Sequence, residues 1–108
     1  MKFMITWRIH PDKRHAALNA FAQMTANDDK KDMGNKIKLI GRWHDLSEGT
    51  GVAICECDDA MAISNWALNW NAVLDFQTRV VLDDEETRTL GLQRAAEAAK
   101  IKTTALEN

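Results

Sequence analysis

Two histidines, His10 and His44, are the residues of this chain best suited to moving protons, because an imidazole titrates near neutrality. Each stands at the end of a strand-like segment, where a hydrogen-bonded structural histidine is the plainer alternative. The third, His15, lies among polar neighbours and reads as solvated. Arg8 and Arg42 are candidates to hold a carboxylate or enolate, since a guanidinium offers paired donors to two oxygens. Their alternative is an ion pair with Glu56 or with an acid of a second subunit. Trp66 and Trp70 fall four apart, with Asn65 and Asn69 at the same spacing. Such a pair is either core or an aromatic wall for a flat ligand, with Asn69 supplying a hydrogen bond. The catalytic candidates are therefore His10 and His44. The ligand-binding candidates are Arg8, Arg42, Trp43, Trp66, Asn69 and Trp70.

The other reactive types carry less. Cys55 and Cys57 lie two apart in one strand, too few for a zinc site and badly placed for a disulfide, so they read as small buried hydrophobes. Asp28, Asp29 and Asp32 lack the spacing of a calcium loop and read as a solvated turn. Gly49-Thr50-Gly51 has neither the lysine nor the helix start of a phosphate loop and reads as a hairpin. No metal and no cofactor is expected. The net charge is −2 over 108 residues, from 14 basic and 16 acidic side chains scattered along the chain. That balance argues against nucleic acid and anionic membranes as partners. No secretory signal or apolar run of about 20 residues is visible, and a reducing cytoplasm fits the two cysteines.

The elements that must position these residues follow from periodicity. Residues 2–10 alternate, with Phe3, Ile5, Trp7 and Ile9 on one side and Met4, Thr6, Arg8 and His10 on the other. Residues 11–25 have helical spacing, opened by Pro11. The polar stretch 26–36 reads as a loop. Residues 37–45 and 51–57 form an antiparallel hairpin, and Asp58 or Asp59 caps a helix over about 59–71. A fourth strand covers 74–82. Asp83 and Glu86 then stand at N-cap and N3 spacing for a last helix reaching about residue 100. The order β-α-β-β-α-β-α spells the α+β, ferredoxin-like split βαβ fold, one domain over 1–100 with a tail, 101–108, expected to fray.

Two helices on one face of a four-stranded sheet leave the other face open. Strict alternation puts Thr6, Arg8 and His10 there, with Ile40, Arg42 and His44 from strand two. Val52, Ile54 and Glu56 join from strand three, and Asp75, Gln77 and Arg79 from strand four. A face mixing Ile and Val with three arginines suits a subunit interface around a partly polar cavity. A bulge in any strand would swap the side taken by Arg42 or Glu56.

Several stretches are also familiar together: Ile5-Thr6-Trp7-Arg8-Ile9-His10-Pro11, Lys38-Leu39-Ile40-Gly41-Arg42-Trp43-His44-Asp45, Gly49-Thr50-Gly51-Val52-Ala53-Ile54 and Trp66-Ala67-Leu68-Asn69-Trp70-Asn71. With Asp58-Asp59-Ala60 and Val81-Leu82-Asp83-Asp84-Glu85-Glu86, they resemble the domain-of-unknown-function family numbered 3303, over roughly residues 1–91. The resemblance implies the dimeric α/β-barrel fold and a homodimer, with no activity to carry over. That superfamily includes small monooxygenases, isomerases, haem-binding proteins and plain ligand binders, so fold does not fix function.

The expectation is a small-molecule-binding homodimer, with Arg8 and Arg42 anchoring an anionic or carbonyl-bearing ligand. His10 or His44 would move a proton, and Trp43, Trp66 and Trp70 would form the walls. A cofactor-independent enzyme, monooxygenase- or isomerase-like, and a non-catalytic binder both fit. The alternative is an assembly module whose sheet face only pairs subunits.

Overall fold

The computed structural model describes residues 1–107. Four strands, β1 (Lys2–Ile9), β2 (Lys38–Asp45), β3 (Thr50–Glu56) and β4 (Leu74–Val81), form one sheet in the order β2-β3-β1-β4. Every pairing is antiparallel. Three helices, α1 (Arg14–Ala22), α2 (Ala26–Met33) and α3 (Ala60–Trp70), join the strands, and α4 (Asp84–Glu107) follows the last. This is the ferredoxin-like α+β arrangement that the element order implies.

The core lies between one sheet face and the helices. Ile5, Ala53 and Cys55 are sealed, and Met33, Ile37, Ile63 and Trp66 close over them from the helical side. Phe3, Trp7, Leu39 and Phe76 pack at the edges. In β1 the inward set is the alternating apolar series of the sequence, because a period of two puts it all on one face.

The stretch 26–36 corrects the expectation of a loop. It begins with α2, whose start is a reciprocal capping box: the Thr25 hydroxyl accepts from the Asp28 backbone N–H, and the Asp28 carboxylate accepts from that of Thr25. Gly34, at φ +83°, ends it. Two satisfied orphan donors outweigh the polar composition that suggested a loop.

The second correction concerns strand two. A bulge between Leu39 and Gly41 sets Ile40 and Gly41 against the single residue Ile54. Beyond it, Arg42 pairs with Ala53 and His44 with Gly51, both on the helix-covered face. Arg42 and His44 thus point under the helices, and Trp43 takes the open face.

At the C-terminus α4 runs as far as Glu107; Asn108, the last residue of the 101–108 tail, lies outside the described residues. Asp83 and Glu86 cap the start of α4 reciprocally, and Lys2 reaches both carboxylates. Among the described residues α4 packs closely on no other element beyond that cap, and the molecule measures 66 Å along its long axis.

Candidate functional site

A cavity of about 230 Å³ opens between the sheet and helices α1 to α3. Its floor is made by Trp7, Phe76 and the inward end of β2, its roof by α1 and the tryptophans of α3. One local feature brings the floor together. Gly51 sits between Trp7 and His44 in the ladder, and a Cβ there would come within 2.0 Å of the Trp7 ring. With no side chain at Gly51, the indole lies flat on the strand and meets His44 edge-on, at 5.5 Å between ring centroids. Phe21 of α1 closes on the same imidazole at 4.8 Å.

His44 is consequently held toward its neutral form. Burial, and then the charge of Arg42, pull its pKa below the usual 6.5. A neutral imidazole at a cavity wall can accept a proton or donate a hydrogen bond.

Arg42 does not offer its fork to the cavity. Its two terminal nitrogens donate to the two carboxylate oxygens of Asp29, at 3.1 and 2.8 Å, and its carbon lies 4.8 Å from the centre of the Phe21 ring. The pair is bidentate and largely shielded, with side-chain exposures of 16% and 20%. Three residues on, the Asp32 carboxylate faces α3. Oδ2 accepts from the indole N–H groups of Trp66 at 3.1 Å and Trp70 at 2.7 Å, and Oδ1 accepts from Asn69 at 3.1 Å. Asp29 and Asp32 are therefore not a solvated turn. Three residues apart on a helix, they face the same way, one tying α2 to β2 and the other to α3.

Of the residues singled out by sequence, Arg42, His44, Trp66 and Trp70 line the cavity, and Asn69 braces it through Asp32. Arg8, His10 and Trp43 do not line it. Arg8 is exposed on the open face, between Thr50 and Asp75 in the ladder. His10 pairs with Asp75 at 3.1 Å just past the end of β1. Trp43 is 60% exposed, its ring lying over Gly41. Sequence reasoning missed Arg14, Phe21, Asp29 and Asp32; His15 is exposed, as its polar neighbours imply, and stands at the cavity's edge. The Thr25-x-x-Asp28 spacing was the signal available for α2 and hence for its two acids.

Among the described residues no group of three His, Cys, Asp or Glu side chains is placed to hold a metal ion, and no helix is long and apolar enough to cross a membrane.

Residues 1–95 match the family model described as Domain of unknown function (DUF3303). The chain belongs to that family. No curated protein matches it. Among solved structures it is similar to a Deinococcus radiodurans protein described as a candidate antibiotic biosynthesis monooxygenase, at 12% identity and a TM-score of 0.45. That match covers 77% of this chain and 94% of the other.

Proposed function

We propose that this chain binds a small, flat molecule bearing a carbonyl or an anionic oxygen in the cavity beneath its helices, and that it does so as a homodimer. The observation that carries the binding reading is the cavity itself. It is walled by Trp7, Trp66, Trp70 and Phe76, with only a few polar groups converging on it. That is the composition of ligand sites, and at about 230 Å³ it falls below the ~300–1,000 Å³ typical of drug-sized ligands.

Pairing is supported by the opposite sheet face. Trp43, Val52, Ile54 and Met4 sit there with Arg8, Gln77 and Arg79, uncovered by α1 to α3. A contiguous mixed patch with an exposed indole suits an interface. Pairing through this face leaves the cavity on the other side of the sheet free, so binding and assembly are compatible. If the dimer is also an enzyme, His44 is the group to take a proton from a carbon next to the ligand's carbonyl and return it, an isomerase-like transfer that needs no cofactor.

The test is a panel of small carbonyl compounds and carboxylates titrated into the purified protein, read by tryptophan fluorescence and native mass spectrometry. A saturable change with a one-to-one adduct per subunit is the expected result. No saturable response and no adduct across the panel would remove the binding reading. A monomer by light scattering would remove the dimer.

A further inference from the structure

Arg14 stands where stability gives it no reason to be. It occupies the first turn of α1, where the helix dipole disfavours a cation. Its Nε is sealed from solvent and has no hydrogen-bond partner among the described residues. Among the described residues no carboxylate pairs with it either, the cavity's other guanidinium being taken by Asp29. Folded chains keep such costs chiefly where function requires them.

The side chain is also held in place. A Cβ on Gly49 would approach the Arg14 Nε to 2.7 Å and its Cδ and Cζ to 3.2 Å, so the stem lies directly on the hairpin backbone. Gly49 is buried with φ +68°, and its carbonyl accepts from the Ile9 backbone N–H at 2.8 Å. This surface is fixed, and the guanidinium resting on it is pre-organised.

Of the other titratable groups of the wall, His15 stands exposed at the rim, and the rest are already answered. Arg42 is taken by Asp29, Asp32 holds three N–H donors, and His44 is held neutral. The cation left for a ligand is Arg14. A single guanidinium matches a planar carboxylate in shape and charge, whereas a phosphate dianion would leave charge uncompensated against apolar walls. We infer that Arg14 is the anion anchor of the cavity and that its ligand is a small aromatic or unsaturated monocarboxylate. The carboxylate sits on the guanidinium and the flat body lies among the indole and Phe76 rings. This rests on the cavity being a ligand site, and adds the anchor and the ligand's charge.

The full-length protein is titrated with benzoate and with its neutral counterpart benzyl alcohol, by calorimetry and tryptophan fluorescence. Benzoate is expected to bind about tenfold more tightly or better. Arg14→Met should abolish that preference, weakening benzoate by about tenfold or more while leaving benzyl alcohol within about twofold. The variant's Tm should hold or rise, since an unsatisfied donor is replaced by an apolar stem. Arg14→Lys keeps the charge, loses the fork and should fall between. Equal binding of the two probes by the natural protein overturns the anchor while leaving the cavity a ligand site. So does an Arg14→Met variant that melts lower and keeps its preference. If neither probe binds the natural protein by either readout, the cavity reading falls and takes the anchor with it.

Discussion

The Asp32 carboxylate is the tie between α2 and α3, and its removal has a size that the geometry sets. A hydrogen bond to an ionised acceptor contributes ~1.5–3 kcal/mol and a neutral one about 1. In Asp32→Asn the amide oxygen can still face both indoles, which drop from charged to neutral strength. The exposed Asn69 recovers its partner from water. That substitution should cost about 1–2 kcal/mol. Asp32→Leu leaves both indole donors without an acceptor. Trp66 is 3% exposed and cannot turn to water, while the half-buried Trp70 can do so in part. The expected loss is about 2–4 kcal/mol, a urea midpoint lower by about 1–2 M at the slopes usual for small domains. The assay is urea unfolding followed by far-ultraviolet circular dichroism, because tryptophan fluorescence would report the altered ring environment as well as unfolding. Trp70→Phe, alone and combined with Asp32→Leu, isolates one donor, and a coupling above about 0.5 kcal/mol is expected. An Asp32→Leu variant within about 0.5 kcal/mol of the parent, or no coupling to Trp70, would refute this account of what holds α2 down.

Three further outcomes follow from the geometry. The folded-state pKa of His44 lies below the unfolded 6.5, so its stabilising effect is complete above pH 6.5 and is lost as the pH falls through the folded value. His44→Gln should therefore flatten the decline of stability in that acid range and change little at pH 8; parallel curves for the two proteins would contradict it. Gly51→Ala forces a methyl into the body of the Trp7 indole and should destabilise by about 1–3 kcal/mol. Gly41→Ala meets only the tip of the exposed Trp43 ring, which can swing away, so thermal melts should separate the two variants clearly. Cys55 is sealed, and burial followed by the nearby Cys57 pushes its thiol up to about 11. A disulfide reagent at pH 8 should leave it unmodified until urea is added, and rapid labelling of Cys55 in the native protein would be inconsistent with this packing.

How much of this was legible in the sequence differed by element. β1, β4 and the caps of α3 and α4 follow from local rules, because alternation and capping boxes act within a few residues. The ferredoxin-like order follows from the succession of elements. What local rules could not show was the bulge, since Ile40 is an ordinary strand residue and only the pairing with Ile54 reveals the extra one. That one shift moved Arg42 and His44 under the helices and Trp43 out. The acids of α2 were misread for a related reason. Asp29 and Asp32 look like surface residues until Arg42 and the two indoles, supplied from distant elements, arrive to meet them. Arg14 is not marked by any spacing, because its meaning lies in an Nε without a partner among the described residues.

The bulge also makes distance along the chain a poor ruler for this cavity. Register beyond it is counted from the hairpin: Asp45 opposite Thr50, His44 opposite Gly51, Arg42 opposite Ala53. A chain lacking Ile40 could pair Leu39 with Cys55 and Gly41 with Ile54 in an unbroken ladder and still aim Arg42 and His44 inward. Insertions and deletions at this point of β2 are therefore silent for the cavity, while one placed between Arg42 and the turn inverts everything before it. Members of the family that differ in length here are better aligned backwards from the turn than forwards from the strand's start.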